Sequence, residues 1–402
     1  MNRSLRYSIL DPSGNITILV ETPVDILQQP AVASRLMKLH PEAEQTGFVN
    51  FQGRADCSES STSLRMPGEG SCASLRMAGG EFCGNASMCA AVLYSLNAVL
   101  KPAAQPESFV SDDGFSAASY ELISSQVETP EPMRETASGS LHEMMSEMMC
   151  EENSSEISLT VSGALRPVRV RMSRKPFFPG SDKEIIQRNT LNSDDWYTAI
   201  CMPEPKQIAE MLFKAPGMSG TDTEAGISGA GTEPGISDAG TEPGISDAGI
   251  NVSISGAGNS GCEMCSTLPV VELEGISHII IEPDSAFVNL LSDRKAAEAA
   301  VKNWCLSLGA DGLGLMFLSG DLPEVQLTPL VYIPGSDTIF WENSCASGTS
   351  AAAMYLASKA GSAIYAAFHE PGGILRVQSD PAAMETWLYG RVRLIGKFEY
   401  DL

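Results

Sequence analysis

The chain has 402 residues, a formal net charge of −24 and a hydrophobic content of 43%. This length exceeds the usual size of one domain, so we expect two domains with insertions. The acidic balance argues against a nucleic-acid partner, because affinity for nucleic acid rests mainly on Lys and Arg side chains that neutralise phosphates. We therefore expect a soluble protein without a nucleic-acid partner.

The N-terminus shows no signal-peptide pattern, since Asp11 and Pro12 interrupt it before a long apolar run can form. No apolar stretch of the sequence reaches the length that spans a bilayer. We expect a cytoplasmic protein with no membrane partner. The ten cysteines should then mostly be free thiols, because disulfides are uncommon in the cytosol.

The first half of the chain predicts alternating strands and helices. In chain order we expect a strand at 16–21, a helix at 31–39, a strand at 46–51, a buried helix at 83–96 and two strands at 157–172. Two insertions interrupt this order, at about 54–72 and 124–156. The first contains the tetrapeptide SLRM at 63–66, which recurs just after it at 74–77. The second is rich in glutamate with few large apolar residues, so it cannot repay its ordering entropy.

The second half carries a repeat and then further strand and helix patterns. Residues 223–249 are three nine-residue copies of TE(A/P)GIS(G/D)AG. Three short copies bury little surface, so we interpret about 216–262 as a flexible surface insertion. Beyond it we expect strands within 270–281, 331–341, 373–378 and 387–398, and a helix at 292–308 with Ser292 as N-cap and Gly309 as C′.

Two short motifs share one pattern, GGEFCGNASMCAA at 79–91 and WENSCASGTSAAA at 341–353. Each places a carboxylate, a cysteine and a run of small residues at the start of an apolar helix. A cysteine at that position lies at the positive end of the helix dipole, which favours the thiolate and lowers the thiol pKa. The small residues leave backbone N–H groups accessible to an anion, such as a substrate carboxylate.

Two such cysteines, Cys83 and Cys345, suit inversion at the α-carbon of an amino acid. One thiolate removes the α-proton from one face and the other thiol protonates the opposite face, a reaction that needs neither metal nor cofactor. Glu81 and Glu342, just upstream, are candidates to steer protonation or hold the substrate ammonium group, and His278 is a further candidate. One cysteine in an Ala-rich helix is as often an inert core residue, but two sites with the same pattern favour function.

A metal site is not expected. Cys262 and Cys265 have the spacing of metal ligands, but neither a second such pair nor a pair of histidines accompanies them. Cys89 and Cys305 fall inside predicted helices, where we expect them to be core residues.

At the two cysteine motifs the sequence resembles the diaminopimelate epimerase-like superfamily of PLP-independent racemases and epimerases. The resemblance implies an α/β fold of two pseudo-symmetric domains, each a curved mixed sheet around a central helix, with the site between them. It implies Cys83 and Cys345 as the catalytic pair. Together with the motifs it indicates a substrate-binding set of Asn15, Glu81, Gly84, Asn85, His278, Glu342, Ala346, Ser347, Gly348 and Thr349.

The same resemblance sets the expected domain boundaries. The first domain covers 1–195, the second covers 196–386, and 387–402 is a C-terminal strand that returns to the first domain. The sequence neither indicates nor excludes a homodimer.

The motifs also bear on the substrate. Diaminopimelate epimerases carry an arginine where Met88 stands and an Glu-Arg-Gly before the second cysteine, yet this chain has no arginine between Arg294 and Arg376. The stretch from Gly79 to Ala86 most resembles histidine racemases, including those that supply D-histidine for opine metallophores. Interconversion of L- and D-histidine is the leading hypothesis. A diaminopimelate epimerase and a non-catalytic amino-acid-binding or thiol redox-sensing protein are the alternatives.

Overall fold

The computed structural model describes residues 4–51, 73–100, 154–177, 195–214 and 265–401. The expected insertions at 54–72 and 216–262 lie outside these ranges, as does 124–153 of the acidic insertion. The last residues of that insertion, Ser155 and Glu156, instead begin a strand that continues to Val161.

Within the described part of the first half there are seven strands and two helices, which we call the first unit. Its elements in chain order are β1 (Ser4–Pro12), β2 (Thr17–Val20), α1 (Gln29–Leu39), β3 (Gln45–Phe51), β4 (Ala73–Met77), α2 (Gly84–Leu100), β5 (Ser155–Val161), β6 (Val168–Ser173) and β7 (Trp196–Cys201). Strands β2 and β3 pair in parallel, as do β4 and β5, and the other neighbours are antiparallel.

The second half repeats this order, and we call it the second unit. After β8 (Gln207–Lys214) come β9 (Cys265–Leu273), β10 (Ile276–Ile281), α3 (Arg294–Leu308), β11 (Leu313–Asp321), β12 (Glu324–Ile333), β13 (Thr338–Trp341), α4 (Ala346–Ala360), β14 (Ile364–Glu370), β15 (Gly373–Asp380) and β16 (Glu385–Asp401). Here β10 and β11 pair in parallel, as do β12 and β14. Apart from the additional strands β8 and β13, the alternation of parallel and antiparallel pairs matches that of the first unit, and the predicted α/β fold of two similar halves is confirmed.

The long strand β16 joins the two units. Its first part lies between β15 and β7, where Trp387 is opposite Cys201, and its last part pairs with β1, where Phe398 is opposite Tyr7. Because β16 contacts both β7 and β1, the first sheet closes on itself around α2. The domain boundary at 195/196 stays a prediction, but β7, just after it, pairs with β6 of the first unit.

The two central helices are apolar on nearly every face because each lies inside a sheet. Ala86, Cys89 and Leu93 of α2 and Ala351 and Ala357 of α4 are at most 1% exposed and belong to one continuous core. The outer helices are amphipathic: α1 packs on β3, and α3 packs on β11 and β12. Among the helices that the structure describes, none has the length and apolar character needed to cross a membrane.

Several local features differ from the sequence prediction. Asp293, and not Ser292, caps α3, since its carboxylate accepts the Ala296 N–H at 3.1 Å, while Gly309 ends the helix in the left-handed conformation as expected. The strand expected at 270–281 is two strands joined by a turn at Gly275, whose φ is 75°. The strand expected at 331–341 is interrupted at Pro334–Ser336.

Candidate active site

The central helices α2 and α4 meet start to start between the two units. A Cβ atom added to Gly84, the first residue of α2, would lie 2.9 Å from the Cβ of Ala346, the first residue of α4. Glycine at this point therefore allows the close approach of the two helices. In front of the helix starts lies a cleft of about 910 Å³ that both Cys83 and Cys345 line.

Cys83 precedes α2 and faces neutral amide groups. Its thiol donates to the Oε1 atom of Gln45 at 2.9 Å and its sulfur accepts the Ala86 N–H at 3.4 Å. The side chain is half-buried. Burial raises the pKa of the Cys83 thiol to about 12, and the negative charge of Glu342 and Glu81 acts in the same direction.

Cys345 precedes α4 and faces carboxyl groups. Its backbone N–H donates to the Oε2 atom of Glu370 at 3.0 Å, and its sulfur lies 3.7 Å from the hydroxyl of Ser347. The residue is 4% exposed. Burial raises the pKa of the Cys345 thiol well above its ordinary value, and Glu342 raises it further.

These pKa directions are opposite to the sequence prediction, which expected helix dipoles to lower both thiol pKa values. The reason is one of magnitude. A helix N-terminus stabilises a negative charge by about 0.3–1 kcal/mol, and up to about 2 kcal/mol when partly buried. Full burial can shift a pKa by about 3–5 units, each worth about 1.4 kcal/mol, so desolvation exceeds the dipole effect.

Three carboxyl groups around the cleft have pKa values that burial raises. Burial raises the pKa of Glu342 to about 8 and that of Glu370 and Glu44 to about 7. Glu342 also hydrogen-bonds the Cys345 side chain, which acts to lower the pKa of Glu342. A carboxyl group with a pKa near 8 is ionised at mildly alkaline pH, and there it can accept the proton of an adjacent thiol.

Side-chain amides of the first unit hold the backbone just before Cys345. Asn15 and Asn85 both donate to the Ser344 carbonyl, at 2.7 Å and 2.9 Å. Glu44 accepts the Asn343 backbone N–H at 3.2 Å and an Nδ2–H bond from the same residue. The Asn85 Oδ1 atom is buried and has no hydrogen-bond partner in the described part of the chain. The contacts fix Cys345 relative to the first unit and leave one acceptor for a ligand.

The structure places the expected site residues in three groups. The cleft is lined by Asn15, Glu81, Cys83, Asn85, Glu342, Cys345, Ala346 and Ser347. Gly84, Gly348 and Thr349 lie behind it: Gly84 packs on α4, an added Cβ on Gly348 would lie 2.1 Å from the Met316 sulfur, and the Thr349 hydroxyl donates to Glu370. These three shape the site without lining it.

His278 lies away from the cleft, in contrast to the expectation. It is in the middle of β10, opposite Val271 and Gly314, and is 0% exposed. Burial lowers the pKa of His278 to about 3, so the imidazole is neutral. Side chains two apart on a strand face the same way, and Ile276 and Ile280 on either side of His278 belong to the central core, so His278 faces that core.

Three residues of the site were missed by sequence reasoning. Gln45 and Glu44 stand at the start of β3, far along the chain from either cysteine, and Glu370 ends β14. No local motif marks them. They reach the site because the sheet pairing brings β3 and β14 beside the starts of the central helices, a consequence of tertiary structure.

The repeated fold and the two cysteine motifs agree with what the resemblance to the diaminopimelate epimerase-like superfamily implies. The sequence matches the family described as histidine racemase CntK N-terminal domain over residues 4–132 and 259–395, more than half of the chain. The protein therefore belongs to that family.

A histidine racemase of Staphylococcus aureus is 38% identical to this chain over 90 residues, which cover 22% of this chain and 28% of that protein. Among solved structures, a probable proline racemase from Agrobacterium radiobacter aligns with a TM-score of 0.47 and 10% identity, covering 99% of this chain and 93% of its own. A hydroxyproline epimerase from Agrobacterium vitis gives 0.46 and 9%, covering 100% and 94%. A PhzF-family phenazine biosynthesis protein from Enterococcus faecalis gives 0.44 and 12%, covering 100% of both chains.

Proposed function

We propose that this protein is a cofactor-independent amino-acid racemase that interconverts L- and D-histidine. The observation that carries the proposal is the placement of two thiols, Cys83 and Cys345, at facing helix starts on one cleft. Family membership supports the reaction class. A proton acceptor and a proton donor on a shared cleft are what inversion at an α-carbon requires, because the proton leaves one face and another arrives at the opposite face.

The carboxyl groups supply a means to ionise a buried thiol. Both thiols are protonated at neutral pH because burial raises their pKa values. Transfer of the Cys345 proton to Glu342 leaves a thiolate and a neutral carboxylic acid. The thiolate then takes the α-proton, and Cys83 gives its proton to the opposite face of the planar carbanion. At the end Cys345 is a thiol and Cys83 is a thiolate, so the reverse reaction runs with exchanged roles.

The substrate has complementary groups in the cleft. Its carboxylate is attracted by the N-termini of α2 and α4, where backbone N–H groups and the helix dipoles favour an anion. Its ammonium group can donate to the unpartnered Oδ1 atom of Asn85 and to the carboxylates of Glu81 or Glu342. Such contacts would place the α-carbon between the two sulfurs.

The charge of the cleft favours histidine over diaminopimelate. Glu44, Glu81, Asp337 and Glu342 line it, whereas Lys38 is the one basic side chain among the described lining residues. A second substrate carboxylate would meet carboxyl groups that cannot pair with it as an arginine would, while an imidazole can donate an N–H bond to a carboxyl oxygen. The missing arginines of the sequence analysis agree with this.

The test is incubation of the reduced protein with separate L-amino acids, including histidine and diaminopimelate, in deuterated water. We expect D-histidine with deuterium at the α-carbon, measured by chiral chromatography and mass spectrometry. The C83S and C345S variants serve as matched controls. Exchange into diaminopimelate instead would overturn the substrate, and no exchange with any amino acid would favour a binding or redox-sensing protein.

A further inference from the structure

A second cavity lies next to the cleft, at the loop between β4 and α2 that carries Glu81. Its volume is about 520 Å³. Four residues line both cavities: Gly79, Glu81, Pro334 and Gly335. We call the second cavity the rear passage. The two cavities therefore adjoin along these residues, and Glu81 is the one with an ionisable side chain.

Small residues keep the rear passage open. Apart from the four shared residues, its lining is Gly80, Gly163, Ala164, Leu165, Gly275, Ala310 and Asp311. Leu165 is 82% exposed and Asp311 is exposed, so the passage reaches the protein surface. A polar cavity of this size is large enough to hold several water molecules.

Glu81 lines both the cleft and the rear passage, and one of its carboxyl oxygens makes no hydrogen bond to the described residues. Its Oε2 atom is buried and has no hydrogen-bond partner in the part of the chain that the structure describes. A buried polar atom without a partner is costly, which points to a water at that position. Burial also raises the pKa of Glu81, and the charge of Glu81 acts on the Cys83 thiol two residues further along the chain.

We propose that Glu81 relays protons between Cys83 and solvent through the rear passage while substrate fills the cleft; this proposal rests on the proposed racemase function. Each turnover leaves the two sulfurs with exchanged protonation states, which must be reset before a second molecule of the same enantiomer reacts. In one direction Cys83 gives its proton to a bridging water, which passes a proton to the Glu81 carboxylate. Cys83 becomes a thiolate, and the Glu81 carboxylic acid then gives its proton to water in the passage.

The consequence is that a proton taken from substrate by Cys83 reaches solvent quickly. A mixture of α-deuterated histidine and 15N-labelled histidine in ordinary water tests this. In the wild-type protein, we expect almost no α-deuterium in the 15N-labelled product. E81Q removes the relay and A164L fills the rear passage, so in both variants deuterium should stay on the Cys83 sulfur into the next turnover. We expect each variant to raise the transfer of deuterium between histidine molecules at least fivefold.

The variants are chosen to separate the possible outcomes. Ala164 lines the rear passage but not the cleft, so A164L should keep the racemisation rate at low substrate within about twofold even if E81Q abolishes activity. A360L, at the exposed end of α4, and E324Q, on an exposed glutamate, are the matched controls and should behave as wild type. Circular dichroism checks folding.

Unchanged deuterium transfer in A164L, with racemisation intact, would overturn the relay. It would leave the racemase proposal standing, since that proposal depends only on wild-type activity and on the loss of activity in the cysteine variants. Absence of wild-type racemisation would overturn both.

Discussion

The two halves of the site share a backbone but differ in their side chains. In each unit a cysteine precedes the central helix, and its carbonyl accepts the N–H four residues on, from Ser87 at 3.0 Å and from Thr349 at 2.8 Å. The Cys83 sulfur faces the neutral amide of Gln45, whereas Cys345 lies among the carboxyl groups of Glu342 and Glu370. The repeated backbone places two equivalent sulfurs, and the differing neighbours decide which one can lose its proton first.

This comparison assigns different roles to the two halves. Glu342, with a pKa of about 8, gives Cys345 a direct proton acceptor. Gln45 cannot accept a proton at any ordinary pH, so Cys83 rests as a thiol that donates to the amide oxygen. The resting protein is thus prepared for one direction, with Cys345 as base and Cys83 as acid.

The largest expected effect comes from removing either sulfur. Cys83→Ser or Cys345→Ser should lower kcat for racemisation by about 10³-fold or more, because a serine hydroxyl ionises far less readily than a thiol and each acid or base contributes about 10²–10⁴-fold. Initial rates by polarimetry measure this. Near-full activity in either variant would contradict the two-thiol mechanism, and equal thermal unfolding curves would show that the fold is intact.

A second change separates the halves. Glu342→Gln should lower kcat/KM by about 10–100-fold and remove the rise in activity that we expect in the wild type as pH passes through about 8, where Glu342 ionises. The pH profile of kcat/KM is the measurement. Gln45→Glu is the companion variant, since it would give Cys83 its own carboxylate. If the profile of Glu342→Gln keeps its rise near pH 8, another group is the acceptor.

The same carboxyl group also makes the stability of the protein depend on pH. The folded pKa of about 8 lies above the ordinary value of 4.5, so between these pH values the folded chain holds a proton that the unfolded chain has released. The free energy of unfolding therefore falls as pH rises from 4.5 to 8. Glu342→Gln should reduce this fall and raise Tm at pH 8.5, by about 1–2 °C for each kcal/mol gained in a chain of this length. An equal Tm of the wild type and Glu342→Gln at that pH would contradict the raised pKa of Glu342.

Glu370 is expected to stabilise only the half of the site that contains Cys345. Its carboxyl group accepts the Cys345 N–H and the Thr349 hydroxyl at the start of α4. Glu370→Ala leaves these buried donors without a partner and should cost about 1–3 kcal/mol of stability. Glu370→Gln, which keeps an acceptor oxygen, is the control and should cost less. Denaturant unfolding gives both values, and equal losses would mean that the hydrogen bonds are unimportant.

The smallest effect on activity is expected from deletion of the nine-residue repeat. Lys214 at the end of β8 and Cys265 at the start of β9 are directly opposite each other, so the chain leaves and re-enters the sheet at one place. Deletion of 221–258 shortens the connection between these strands without stretching it. We expect kcat/KM to stay within about twofold of the full chain. Loss of folding on deletion would instead show that the repeat packs against the body.

Much of the secondary structure could be predicted from local patterns. The helices α1, α2 and α3, and the strands β2, β3, β15 and β16, lie where periodicity and turn residues indicated. The strands β1, β4, β7, β8, β11 and β14 were not predicted. Met77 at the end of β4 shows why: it belongs to a repeated SLRM tetrapeptide that suggested an insertion, but the strand is fixed by pairing with β3.

The sequence by itself determined the two cysteines, the small residues at the helix starts and the repeated order of elements, because each depends on residues close together in the chain. Only the tertiary structure decided the neighbours of each sulfur, the core position of His278 and the direction of the thiol pKa shifts. Burial is the physical reason. Desolvation depends on atoms from distant strands packing around a group, and no local pattern contains that information.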